Sequence, residues 1–349
     1  MRKRFIAILM LLCLFLTGCS IDIKSLFVKD EEGPISNLSR DALLFDGKVV
    51  RTKTLELINS ATESIYIEQR IFKDESIKNL IIDKAKSGVE VRILLDQFET
   101  PNRTVLNELK SHNISIQFYP AQKGQTNEAK FLIVDLKEAL VFSHPWTENG
   151  FSAANFTIHL TGRSVHKLAT AVFNRDWSFT TTLSLDIPKE SPLPEDNIIV
   201  AKSPNVKNQL IAQVQNSKES IWAIVNNLTE PDTVEEFIGA ATNGLDVRLI
   251  LDPNVMPSNW PSTLQKLEES GVEIRYYKSD DNLPLGMNLA IFDGKNFIHT
   301  SSGWSYKSFV MNQELSLTVP SPTATEALIE VFDQYWQSGY LTPPEIGEG

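Results

Sequence analysis

The chain has 349 residues, a formal net charge of −11 and 42% apolar residues. An acid excess of this size repels polyanions and anionic headgroups, so nucleic-acid binding and charge-driven adhesion to membranes are not expected. Length and apolar content together suffice for two domains, each with a core of its own.

The opening residues, "MRKRFIAILMLLCLFLTGCS", join a basic start to an apolar run from Phe5 to Leu16. That run is too short to cross a hydrocarbon layer of about 30 Å as a helix, so residues 1–18 read as a secretory signal. Leu16 to Cys19, "LTGC", resembles the bacterial lipobox. The resemblance implies a lipoprotein anchored in the cell membrane through acylated Cys19, on the extracytoplasmic face. Cys13 lies in the removed segment, so no disulfide is expected, and loss of Arg2, Lys3 and Arg4 brings the charge to −14. Residues 19–40 read as a polar tether.

From Lys53, "KTLELINSA" places its apolar residues on one helix face, whereas "SIYIE" from Ser64 and "VEVRILLD" from Val89 are β-branched runs of strand length. "ESIKNLIIDKAKSG" from Glu75 is a second amphipathic helix, closed by Gly88. The order then repeats. "SIYIEQRIF" at Ser64 answers "SIWAIVNNL" at Ser220, and "SGVEVRILLD" at Ser87 answers "NGLDVRLILD" at Asn243, both at a spacing of 156 residues. "DLKEALVFSHPWT" from Asp135 answers "DGKNFIHTSSGWS" from Asp293 at 158, and "VFNRDW" from Val172 answers "VFDQYW" from Val331 at 159. Offsets that drift so little mark a duplication with small loop insertions. The expected organisation is a lobe over 41–186, an exposed proline-rich linker over 187–197, a second lobe over 198–341 and a disordered tail over 342–349. Alternating helix and strand makes each lobe α/β, a mixed sheet flanked by helices.

This pattern resembles the phospholipase D superfamily across nearly all of the mature chain. Members have two pseudo-symmetric lobes, each with a His-x-Lys-x4-Asp motif followed by Gly-Ser-x-Asn. The resemblance implies a cleft between lobes in which one histidine attacks phosphorus and the other protonates the leaving oxygen. Lysine, serine and asparagine would hold the non-bridging oxygens. Here "EAKFLIVD", Glu128 to Asp135, carries Glu128 in the histidine place, with Lys130 and Asp135 kept. The second motif has Gly286 for histidine, Asn288 for lysine and a retained Asp293. In the following stretches Ser143 and Ser301 are kept, while Phe142, Pro145, Thr300 and Gly303 replace glycine and asparagine. "NQE", Asn312 to Glu314, matches an Asn-x-Glu whose acid orients a histidine in the family; "NFT", Asn155 to Thr157, is taken as its first-half counterpart.

No intact catalytic set is therefore expected, and Glu128 reads as a replacement, ion-paired with Lys130. Lys130, Ser143, Ser301, Asn312 and Glu314 are the candidate phosphate-binding residues, with Glu314 expected to pair with a nearby cation. His299, on the face of Ser301, is the candidate substitute for a lost histidine. His144 should face the other way; His112, His159 and His166 read as surface residues on helix ends or loops. Trp146, Trp304, Trp177 and Trp336 read as core. No metal site and no cofactor are expected, since zinc spacings, P-loops and dinucleotide fingerprints are absent from the sequence. The leading reading is a degenerate binding module for a phospholipid headgroup, a phosphodiester or an envelope protein. The alternative is a divergent phospholipase D or phosphatidyltransferase. A weaker one is a small-solute-binding lipoprotein, whose lobes would be linked by more chain crossings than the single linker anticipated here.

Overall fold

Each repeat folds into a seven-stranded mixed sheet because its β-branched runs alternate between two cores. The computed structural model describes residues 33–255, 260–279 and 283–343; the signal segment, Cys19 and most of the tail lie outside them. The first sheet comprises β1 (Leu43–Leu44), β2 (Ser64–Gln69), β3 (Glu90–Asp96), β4 (Ser115–Tyr119), β5 (Phe131–Val134), β6 (Glu138–Phe142) and β7 (Thr157–Leu160). The second comprises β8 (Ile199–Lys202), β9 (Ser220–Val225), β10 (Asp246–Leu251), β11 (Glu273–Tyr276), β12 (Leu289–Phe292), β13 (Asn296–Thr300) and β14 (Leu315–Val319). Their orders, β1-β7-β6-β5-β2-β3-β4 and β11-β10-β9-β12-β13-β14-β8, coincide when one is read backwards. In both, three parallel strands are continued by antiparallel ones, and the first strand of the repeat closes the far edge on the last.

Alternation along the strands builds three cores. Leu132 and Val134 of β5 join the outer core of the first lobe, beneath the helices Gly47–Ser60, Glu75–Lys86 and Thr100–Ser111. Ala290 and Phe292 of β12 do the same in the second. The opposite faces, Phe131 and Ile133 with Leu289 and Ile291, belong to one core shared by both sheets, filled also by residues of the helical stretches 163–181 and 322–338. Aromatic pairs such as Tyr66 with Phe173, centroids 5.1 Å apart, and Trp222 with Phe332, 5.3 Å apart, line this middle layer. Trp146 and Trp304 are fully buried, and Trp177 nearly so.

The expected helices and strands appear, the first helix beginning earlier, at Gly47, where the Asp46 side chain accepts from the amides of Lys48 and Val49. Gly88, at φ +95°, closes its helix in a conformation that L side chains rarely adopt. Three sequence expectations need correction. His159 lies within β7 and bonds Glu138, Nε2 to Oε2, at 2.7 Å, rather than on a loop. The linker is fastened to the first lobe: Arg163 N donates to Pro194 O at 2.8 Å and Ser164 N to Asp196 Oδ2 at 3.0 Å. The chain also touches both lobes a second time. Ser36, expected in the tether, is buried and donates its amide to Pro320 O at 2.7 Å, and Arg40 pairs with Glu330, before β1 enters the first sheet. A core continuous between the sheets leaves no open hinge of the solute-binding kind.

Candidate functional site

The parallel strands β2, β3 and β4 end where β5 begins, and their counterparts β9, β10 and β11 end where β12 begins. The motif residues thus collect at one edge of each sheet, and the two edges meet. Backbone bonds lace them together in pseudo-twofold pairs. Glu128 N donates to Gln313 O at 2.9 Å, and its mate Gly286 N donates to Ala154 O at 2.8 Å. Asn127 N is held by Asp96 Oδ2 at 2.7 Å, Leu285 N by Asp252 Oδ2 at 2.9 Å. Between the edges lies a cavity of about 260 Å³ bordered by Arg70, Glu128, Lys130, Ser143, Asn288 and Ser301, among others.

The charged groups in this cleft are spent on one another. Lys130 Nζ, buried, donates to Glu128 O at 2.8 Å and Ser301 O at 2.7 Å, and lies 3.4 Å from Glu128 Oε2. All three of its protons are thereby committed. Burial lowers its pKa against the pull of Glu128 and Glu314. Glu128 Oε1 is also 3.1 Å from Arg70 Nη1, whose Nε donates to Glu99 at 2.8 Å. The equivalent positions of the second lobe, Gly286 and Asn288, carry no charge. Asn288, in the lysine place, uses Oδ1 to accept from Asn226 N at 3.1 Å. A Cβ on Gly286 would fall 3.1 Å from Asn155 Cβ and 3.3 Å from Ala154 O, so a side chain at the second histidine place would crowd backbone and side chain of the other lobe by a few tenths of an ångström.

Glu314 differs from its expectation. It meets hydroxyls and an amide, not a lysine or arginine: Ser301 Oγ donates to Oε2, Ser302 Oγ to Oε1 at 2.6 Å and Asn312 Nδ2 to Oε1 at 3.3 Å. Burial, followed by the nearby Glu128 carboxylate, pushes Glu314 up to about 7. Its counterpart in the first lobe is also different. Ser301 accepts from Leu315 N at 2.9 Å and Ser143 from Phe156 N at 3.0 Å, which makes Asn155, not Thr157, the equivalent of Glu314. "NFT" is therefore two residues out of register with "NQE", which the repeat offsets of 158 and 159 on either side already indicate and the serine-to-amide bonds fix.

His299 does not stand in for a lost histidine. It is 1% exposed, lies edge-on to Phe156 with centroids 5.0 Å apart, and is bonded through Nδ1 to Asn288 O at 3.3 Å. Burial drives its pKa down to about 3, so it is a neutral core residue. His144 borders the cavity, but its ring packs against Phe142 and Phe151 and its Nδ1 meets Pro145 O at 3.0 Å. Burial lowers it to about 4. Asp135 and Asp293, kept in both motifs, are turn residues at φ +51° and +52°. Asp135 accepts from the amides of Thr62, Glu63 and Ser64 at 2.8–3.0 Å, and Asp293 from those of Lys218, Glu219 and Ser220 at 2.8–3.0 Å. Partial burial would raise Asp135, but these donors outweigh it and hold it below its ordinary value. Among the described residues no cluster of histidine, cysteine or carboxylate side chains is arranged to hold a metal.

A family model described as "Cardiolipin synthase, PLD-like domain" matches residues 54–177 and 210–336. The chain is 26% identical over 340 residues to cardiolipin synthase 1 of Bacillus anthracis, covering 85% of this chain and 66% of that protein. It is 24% identical over 340 residues to the cardiolipin synthase of a Geobacillus species, covering 86% and 67%. The chain thus spans about two thirds of the length of these curated relatives. Among solved structures, a phosphatidylserine synthase from Haemophilus influenzae aligns at a TM-score of 0.68 and 14% identity, over 89% of this chain and 90% of that one. A polyphosphate kinase from Porphyromonas gingivalis aligns at 0.61 and 15%, over 83% and 45%. Identities this low speak to the fold alone. By the matched family model, the chain belongs to the phospholipase D superfamily.

Proposed function

We propose that this phospholipase D superfamily member holds a phospholipid headgroup in the cleft between its lobes and does not turn it over through a phosphohistidine. One observation carries the reading. Neither histidine place holds an imidazole: Glu128 is paired with Arg70 and Lys130, and Gly286, which has no side chain, donates its amide to Ala154 O. A nucleophile and a proton donor on opposite sides of phosphorus are both missing, and a carboxylate aimed at a phosphodiester meets Coulomb repulsion that Lys130, fully committed, does not relieve.

The cavity itself supports a small polar guest. At about 260 Å³ it falls just under the size of pockets that take drug-sized molecules. Ser143, Thr147, Asn149, Asn226 and Asn288 place amides and hydroxyls on a wall that is otherwise largely apolar, a lining suited to a polyol. Arg70 is paired with Glu99 and Glu128 but, with 40% of its side chain exposed against 3% for Lys130, is the cation of the cleft that a phosphate reaches, a part the sequence had assigned to Lys130. Ser143 Oγ accepts from Phe156 N and keeps its own proton to give. Acylation of Cys19 would keep this cleft at the membrane, and an envelope protein is the other occupant consistent with a silent site. No helix among the described residues is long and apolar enough to cross a membrane.

The relatives' names favour the alternative, a divergent phosphatidyltransferase acting on phosphodiester bonds, over a silent binder. The side chains in the cleft favour the binder, and the two readings part cleanly in one assay. The full chain is incubated with phosphatidylglycerol carrying a labelled headgroup. Retention of lipid that is lost in Arg70→Ala, with no labelled glycerol released and no trapped phospho-enzyme, is the expected result. Formation of cardiolipin or free glycerol that disappears in Glu128→Gln would establish transfer instead.

A further inference from the structure

The surface around the cleft carries a distribution of side chains that the headgroup reading does not require. Loops following β3, β10 and β13 sit at the cleft-side edges of the two sheets, as do the ends of the helices Asn174–Thr181 and Pro322–Ser338, which return there from the opposite edges. Phe179 packs on Tyr119 at the end of β4, and Tyr340 pairs with Tyr276 at the end of β11, which fixes where those helices finish. At these edges Phe98, Phe179, Val255, Tyr306, Val310 and Tyr340 stand 40–64% exposed. Ile35 and Ile199 are the exposed apolar residues placed at the far edges, beside Pro320 and Thr318. Most of the large exposed apolar side chains among the described residues thus lie on the cleft side of the two sheets rather than being spread evenly over the surface.

Charge decides what that surface meets. Exposed Arg103 and Lys307 lie in the first turns after β3 and β13, and exposed Lys73 and Lys123 on the loops that follow β2 and β4 at the same ends of the strands. Of the described carboxylates there, Glu99 is taken by Arg70, Asp74 by Arg51, Glu75 by Lys78, and Glu230 and Asp232 by Lys207, while Glu148 is left open. A chain of net charge −11 therefore turns a cationic, apolar rim outward at its cleft. Aromatic rings interleaved with lysine and arginine match the boundary between phosphate headgroups and acyl chains.

We infer that the cleft-side edges dock on a phospholipid bilayer, with the rim side chains in the interface and the cleft opening toward the headgroups. The docking needs no headgroup bound inside the cleft, and its test does not read one. The full chain is reconstituted with phosphatidylcholine and phosphatidylglycerol vesicles containing brominated acyl chains, which quench tryptophan at close range. Phe98→Trp and Val310→Trp, each corrected for the parent chain, report the cleft side; Ile199→Trp reports the far side. Burial of about 5–10 Å into the interface predicts quenching at least about threefold greater at the first two positions. Tyr306→Ser combined with Phe98→Ser should remove most of the excess at Val310→Trp. Equal quenching on the two sides, a larger effect at Ile199→Trp, or self-association of the chain without selective quenching would each overturn the proposal. Orientation with no retention of headgroup would leave it standing while ending the headgroup reading.

Discussion

Replacing Glu314 by glutamine tests whether the cleft contains a carboxyl that folding holds protonated. Glu314 is 2% exposed and is pushed from 4.5 to about 7 by burial and then by the Glu128 carboxylate. At about 1.4 kcal/mol for each pH unit, that rise amounts to about 3 kcal/mol. A folded-state pKa raised above the unfolded one means a contribution that is fully present below about pH 4.5, declines as pH rises, and is gone above about pH 7. Glutamine is neutral throughout and keeps one carbonyl for Ser301; Ser302, part-exposed, turns to accept from the new amide. Urea unfolding of wild type and variant in parallel from pH 4.5 to 8.5 measures the difference. The wild type should lose about 3 kcal/mol relative to Glu314→Gln across that range, most of it before pH 7. Two curves that stay parallel would refute the claim that Glu314 is protonated in the fold.

The two buried histidines act in the opposite sense. His144 and His299 are depressed from 6.5 to about 4 and about 3, so stability is present above pH 6.5 and falls as pH drops toward those values. His299→Phe should remove about 3 kcal/mol or more of that acid loss in the same titration, and leave lipid retention unchanged. Lys130→Ala, which leaves Ser301 O without its donor and Glu128 with Arg70 alone as its cation in a buried site, should cost up to about 3–5 kcal/mol of unfolding free energy in urea. Gly286→His forces a side chain against Asn155 and Ala154, and should cost about 1–3 kcal/mol without creating turnover of phosphatidylglycerol. Release of headgroup by Gly286→His alone would show that the missing second histidine had been the limiting defect.

The duplication, the α/β order and the strand assignments were legible in the letters, because apolar alternation and glycine punctuation are local properties that recur at a near-constant offset. So was the absence of the histidines. The retention of Asp135 and Asp293 was visible too, and the structure accounts for it by three backbone amides on each. The partners inside the cleft were not legible. Lys130 spends its protons on Ser301 O, 171 residues away, and Glu314 finds hydroxyls where a cation had been expected. Asn155 lies opposite Gly286 across the two lobes, a juxtaposition that no spacing within one lobe shows. Which groups neutralise one another when two lobes close depends on distances of a few ångströms between segments far apart in the chain, and burial then decides their protonation. Composition and spacing determine what folds; the closure of one lobe on the other determines which charges remain free to act.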